Sequence, residues 1–232
     1  MLLLGFGNKA RHGKDTAAES IKNYYEQQTA SRRLHLPTYK GGLKIGIFKY
    51  AAALYEEVNA WLKVTEGGGL KYDPLGSYVV PPDDTNNYRF YQIPEWVKPD
   101  PNPEVSALAP YGKHPKLLQW WGTEYRRAQD PEYWVKKTFA NIPANLDIAM
   151  ITDVRFPNEA TAVNERGGYT VNVQRLRTDG QPFYDNSRPA DHPSETALDG
   201  WNWNFYLKIP DGHAALTGEL AVTLAEYLRG LK

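Results

Sequence analysis

The chain holds no cysteine, so disulfides, thiol nucleophiles and Cys-based zinc sites are excluded. It has no surplus charge either, with 27 Lys and Arg balancing 27 Asp and Glu. A grip on a nucleic acid polymer works through excess cations across a face, so this balance argues against one. A small anionic ligand needs only a few local cations and stays open. Long apolar runs are also missing: none approaches the ~20 residues of a membrane span. The N-terminus, Met-Leu-Leu-Leu-Gly-Phe-Gly, lacks the basic start and apolar core of a signal peptide. The expectation is a cytoplasmic protein with no membrane partner. His12, His35, His114, His192 and His213 show no ligand spacing, so no His-only metal site is expected.

What is present suffices for a folded core. The 232 residues are 41% hydrophobic and 13% aromatic, and the length suits one mid-sized domain over residues 1–232. Leu2-Leu3-Leu4-Gly5-Phe6 is a short apolar run of the kind that forms a buried parallel strand. A polar, glycine-containing segment follows, and from Thr16 the spacing turns helical through Ala17, Ile21 and Tyr24. Ile45–Phe48, 146–152, 169–173 and 205–209 read as four further strands. Helical spacing covers 51–62, 115–129, a segment opening at Pro157, and a closing stripe from Leu216 to Leu231. Five strands interleaved with helices imply an α/β, mainly parallel, three-layer sheet with helices on both faces.

Residues 65–115 differ, holding nine of the 17 prolines and five of the 19 glycines. Structureless stretches that long are uncommon inside a domain. A Pro-rich insertion at about 63–113 is expected, either capping an acceptor or making a homodimer contact. A lid-like loop is expected at about 177–197. In the 115–129 helix, Leu117, Leu118, Trp121, Tyr125 and Ala128 fall on one arc at about 100° per residue. Trp120, Glu124, Arg126 and Arg127 fall outside it.

The strongest local signal is Asn8-x-x-x-x-Gly13-Lys14-Asp15-Thr16, placed at the first strand–helix junction. The phosphate loop G-x-x-x-x-G-K-[ST] wraps phosphates with backbone N–H groups, and its Lys reaches their oxygens. The first turn of the following helix adds to that pull. Asn8 stands where the first glycine is usual, and Asn tolerates positive φ. Asp15 stands where a hydroxyl usually meets Mg²⁺, with Thr16 one position later, so either is the metal-side candidate. Asn8, Arg11, His12, Gly13, Lys14, Asp15 and Thr16 are thus candidates for holding phosphate groups and a magnesium ion.

Gly-Lys-Asp-Thr after an N-terminal strand, then Leu-Leu-Gln-Trp-Trp-Gly-Thr-Glu at 117–124 and Asp-Pro-Glu-Tyr-Trp-Val at 130–135, resembles the deoxynucleoside monophosphate kinases of tailed bacteriophages. Ile-Thr-Asp-Val-Arg-Phe-Pro-Asn-Glu-Ala at 151–160, His-Pro-Ser-Glu at 192–195 and Asp211-Gly212 extend the match in order along most of the chain. The resemblance implies a P-loop NTPase fold that moves the γ-phosphoryl of ATP onto a deoxynucleoside monophosphate (dNMP), with Mg²⁺, in the cytoplasm of an infected bacterium. It implies Lys14, Asp153 and Arg155 as catalytic residues. The phosphate-loop residues Asn8, Arg11, His12, Gly13, Lys14, Asp15 and Thr16 would with Arg175 form the ATP site, Trp120, Glu124, Arg126 and Arg127 the dNMP site, and Arg177 and Arg188 the lid. Blander readings stand beside these: a solvated helix face for Arg126 and Arg127, an ion pair for Asp153 and Arg155, a loop anchor for His192, Ser194 and Glu195. The chain departs from similar enzymes at Ala51-Ala52-Ala53-Leu54-Tyr55, where Ala-Asp-Pro-Leu-Lys is often found. A P-loop kinase for another small acceptor and a nucleotide-binding module without turnover remain the competing expectations.

Overall fold

Every residue of β1 (Leu2–Gly7) is buried, because this strand lies at the centre of a sheet covered on both faces. The computed structural model describes residues 1–36, 38, 41–58, 77–80, 89–92, 118–184 and 193–231. The chain divides into two compact units, one formed by Met1–Tyr50 with Val135–Lys232 and the other by Ala51–Trp134. The expected insertion at 63–113 falls within the second unit.

In the first unit, β1 is followed by α1 (Lys14–His35) and β2 (Ile45–Phe48). After the second unit come β5 (Ile148–Val154), α4 (Pro157–Glu165), β6 (Tyr169–Leu176), α5 (Pro193–Thr196), β7 (Phe205–Pro210) and α6 (Ala214–Gly230). The strands form one five-stranded sheet in the order β2-β5-β1-β6-β7, parallel throughout. The α/β expectation and its five strands are therefore found, with every pairing within that sheet parallel.

Period-2 alternation sends β1 side chains to both faces. Leu2, Leu4 and Phe6 join Ile148, Met150, Val171 and Val173 beneath Ala17, Ala18 and Ile21 of α1 and Ala221, Ala225 and Leu228 of α6. Leu3 points the other way, into Ala149, Ile151, Ala160, Val163 and Trp203. Two apolar faces explain why these strands read as unbroken apolar runs. Since α1 and α4 cover opposite faces, the loops leaving β1 and β5 diverge, and ligands collect at such divergences at the carboxyl ends of strands.

In the second unit, residues 51–58 are helical. A two-stranded antiparallel ribbon pairs β3 (Ser77–Val80) with β4 (Arg89–Gln92), so the Pro-rich segment is not structureless throughout. A helix over residues 118–129, α2, carries a π-helical stretch at Trp120–Arg127. The unit boundary falls inside α3 (Tyr133–Ala140). The wider i→i+5 turn of the π-helix changes which side chains share a face. Trp120, placed off the apolar arc by α-helical spacing, is buried with Trp121 and Tyr125, and its ring stacks on that of Tyr125 at 5.5 Å.

Candidate functional site

The loop from Asn8 to Gly13 turns on three left-handed residues: Asn8 at φ 107°, Arg11 at 58° and Gly13 at 91°. Glycine adopts such angles freely, whereas the two non-glycines are held there by their surroundings. Asn8 Nδ2 donates to Asn172 Oδ1 at 2.7 Å and to the Val173 carbonyl at 3.2 Å. This pair of bonds ties the loop to β6 where a glycine would have none. The preceding Gly7 is fixed by packing, since a Cβ there would lie 2.1 Å from the Trp203 ring.

Lys14, the first residue of α1, is buried. Its ammonium folds back to donate to the carbonyls of Asn8, at 3.0 Å, and Lys9. Burial and the Arg155 guanidinium push its pKa down to about 7, against an upward pull from Glu195, Asp15 and Asp153. His12 is buried in the loop wall, where burial pushes its pKa down to about 4.

Asp15 accepts a hydrogen bond from Thr152 Oγ1 at 2.6 Å and pairs with Lys49 Nζ at 2.8 Å. Burial alone would raise its pKa, but the bonds from Lys49 and Thr152 hold the carboxyl below its ordinary range. Asp153 accepts the main-chain N–H of Tyr50 at 2.7 Å. Arg155 Nη1 donates to Glu195 Oε1 at 2.5 Å and to the Ser194 carbonyl at 3.2 Å. The other oxygen of Glu195 accepts the Ala10 N–H of the loop at 3.0 Å. The first unit thus gathers Lys14, Asp15, Asp153 and Arg155 around the β1–α1 loop, as expected from their places in the sequence.

Arg175 lies near the end of β6, where its main-chain N–H donates to His12 of the loop. Its Nε and Nη2 donate to Asp211 Oδ1 at 2.8 and 2.5 Å, and its guanidinium lies 4.1 Å from the Phe183 ring centre. Arg177 pairs with the neighbouring Asp179. Arg188 and residues 185–192 of the expected lid lie outside the described residues. Arg11 and Thr16 are exposed.

The expected acceptor residues belong to the second unit, where internal contacts hold two of them. Trp120 is 7% exposed. Arg126 Nε donates to Glu57 Oε2 at 3.0 Å, and its guanidinium lies over the rings of Trp121, Tyr125 and Tyr133. Glu57 also accepts from Trp121 Nε1 at 2.9 Å and from the Tyr133 hydroxyl. Glu124 is exposed and Arg127 half-buried.

Sequence reasoning passed over three groups that shape this region. Glu195 was read as an anchor, Asn172 as a strand residue, and Thr152 as part of a strand. A cavity of about 560 Å³ also opens beside the loop, lined by Asn8, Lys9, Asn172, Gln174, Trp203 and Tyr206 among others. Its only sequence signal is the aromatic and amide pattern Trp-Asn-Trp-Asn at 201–204.

Among the described residues no group of three or more His, Asp or Glu side chains forms a metal cage. Mg²⁺ commonly uses only one or two carboxylates plus substrate phosphates, so it needs no such cage. Asp15 fits that demand: its carboxylate is 65% exposed, it is held in the ionised form, and Lys49 and Thr152 both engage the same oxygen.

No family model matches the chain, and no curated protein matches it. No helix among the described residues is long and apolar enough to cross a membrane.

Proposed function

We propose that the protein is a Mg²⁺- and ATP-dependent P-loop kinase acting on deoxynucleoside monophosphates, dNMP + ATP giving dNDP + ADP. The observation that carries the reading is Lys14, buried at the first turn of α1 behind a loop with three left-handed residues and within electrostatic reach of Asp153 on β5 and of Arg155, the residue that follows it. Loop N–H groups, a buried lysine and an arginine at the carboxyl edge of a parallel sheet are the parts that phosphoryl transfer requires.

In this reading the loop and Lys14 hold the β- and γ-phosphates, and Lys14 leaves its carbonyl partners to meet them. A phosphate oxygen of the acceptor attacks the γ-phosphorus in line, a new P–O bond forms, and the bond to the β-γ bridging oxygen breaks. ADP leaves with the electron pair. Arg155 offsets charge on the transferred group, and Asp153 fixes the main chain at Tyr50. Asp15, with Thr16 beside it, would hold Mg²⁺, which supplies charge neutralisation across the phosphates. Transfer of this kind asks for positioning more than covalent chemistry.

The choice of dNMP as acceptor rests on the resemblance to the phage enzymes. The burial of Trp120 and the pairing of Arg126 with Glu57 favour a second reading, a kinase for another small phosphorylated acceptor. One assay separates them: ADP release measured against a panel of dNMPs, NMPs and non-nucleotide acceptors. Turnover confined to dNMPs supports the first reading, and turnover only with another class replaces it. ATP binding without turnover on any acceptor would leave a nucleotide-binding module.

A further inference from the structure

We propose that the Ala10 N–H and the Arg155 guanidinium form a clamp for a phosphoryl group, which Glu195 fills in the nucleotide-free chain. Its carboxylate then competes with the γ-phosphate of incoming ATP. The inference rests on the nucleotide reading above and deepens it by naming where that phosphate goes and what it must displace.

A carboxylate this deep is costly unless both oxygens are bonded. The Glu195 side chain is 4% exposed, and that of Arg155 is 20% exposed. One oxygen takes the loop N–H at 3.0 Å and the other takes the guanidinium at 2.5 Å. These two donors come from separate elements, the β1–α1 loop and the residue that follows β5, and they converge on one anion. A backbone N–H from a glycine-containing loop paired with an arginine is the donor set that binds phosphate oxygens.

A purely structural anchor for Arg155 already exists. Glu159, 1% exposed, accepts the main-chain N–H groups of Arg155 at 2.8 Å and Phe156 at 3.1 Å. Glu159 therefore fixes the Arg155 backbone, while Glu195 occupies the functional end of its side chain. A terminal phosphate carries more charge and one more oxygen than a carboxylate, so it can engage the same donors and Lys14 together. Apparent affinity is then reduced by the fraction of molecules whose clamp is filled internally.

The test is calorimetric titration of the wild-type chain and Glu195→Gln with ATP, ADP and inorganic tripolyphosphate, at fixed Mg²⁺ and ionic strength. Glu195→Gln is expected to bind ATP and tripolyphosphate about tenfold tighter, while ADP affinity moves by less than about twofold, since only a third phosphate, the γ-phosphate of ATP, reaches the clamp. Unchanged or weaker ATP binding overturns the proposal, and so does an equal gain for ADP. Should Glu195→Gln fail to fold, Glu195→Asp withdraws the charge by one methylene. A gain of a few-fold for ATP is then expected, and no gain overturns the proposal. Wild-type ATP binding that Lys14→Ala abolishes upholds the nucleotide reading even where the clamp fails, and no polyphosphate binding by any variant sinks both.

Discussion

The Arg175 main-chain N–H donates to His12 Nδ1 at 3.2 Å. The imidazole proton therefore resides on Nε2, which donates to the Phe183 carbonyl at 3.0 Å. This arrangement needs a neutral ring, and burial holds the His12 pKa at about 4 against an ordinary 6.5. A base whose folded pKa is lowered makes the unfolded chain bind more protons between the two values. Its contribution to stability is thus complete above pH 6.5 and is lost as pH falls through about 4. Denaturant titrations of the wild-type chain should show a decline of on the order of 2 kcal/mol across that window beyond what His12→Gln shows. Parallel curves for the two proteins would refute the assignment.

Lys14 gives a prediction of the same sign over a higher window. With a folded pKa of about 7 against an ordinary 10.5, it makes the native state more stable as pH rises between those values. Phosphate oxygens beside the ammonium would raise its pKa again, so ATP binding should draw in a proton. At pH 8 the uptake is expected to be about one proton, shrinking toward zero near pH 6. Calorimetry in two buffers of different ionisation enthalpy reads the uptake directly. Lys14→Arg, whose guanidinium stays charged, should bind with little or none, and equal uptake by both proteins would place the proton elsewhere.

Asn8 occupies a glycine's conformation at φ 107° and offsets the strain with bonds to Asn172 and Val173. Asn8→Ala keeps the strain and removes both bonds, so it should destabilise by about 2 kcal/mol. Asn8→Gly removes the bonds and relieves the strain, so its loss should be less than about 1 kcal/mol. Thermal unfolding of the pair decides: alanine must be clearly the worse, and a reversed order would mean that the angle carries no strain.

How much of this was readable beforehand follows from range. The strands were, because burial on two faces leaves runs such as Leu2-Leu3-Leu4 and Ile148-Ala149-Met150-Ile151 that few other structures explain. The group around Lys14 was partly readable, because Asp153 lies at the carboxyl end of a strand, where ligands collect in open parallel sheets. Glu195 was not, since its bond to Ala10 spans 185 positions and nothing local announces it. Trp120 was misplaced because an α-helical period was laid on a π-helical stretch. The partner of Arg126 was equally hidden, because Glu57 lies 69 positions away.

That partner gives the last prediction. Glu57 accepts from Arg126, Trp121 and Tyr133 within a cluster of aromatic rings. The Arg126 and Glu57 side chains are only 23% and 15% exposed. Removing one member of a largely buried ion pair leaves the other charge poorly compensated, at a cost of roughly 3 kcal/mol. Glu57→Ala should therefore destabilise the second unit by about that amount, with loss of near-ultraviolet dichroism from Trp120 and Trp121. Arg126→Met keeps apolar contact with the rings and still removes the guanidinium. If Arg126 serves only this cluster, Arg126→Met should lower stability while leaving the KM for the acceptor unchanged. A KM raised tenfold or more in a folded variant would instead return Arg126 to the acceptor site.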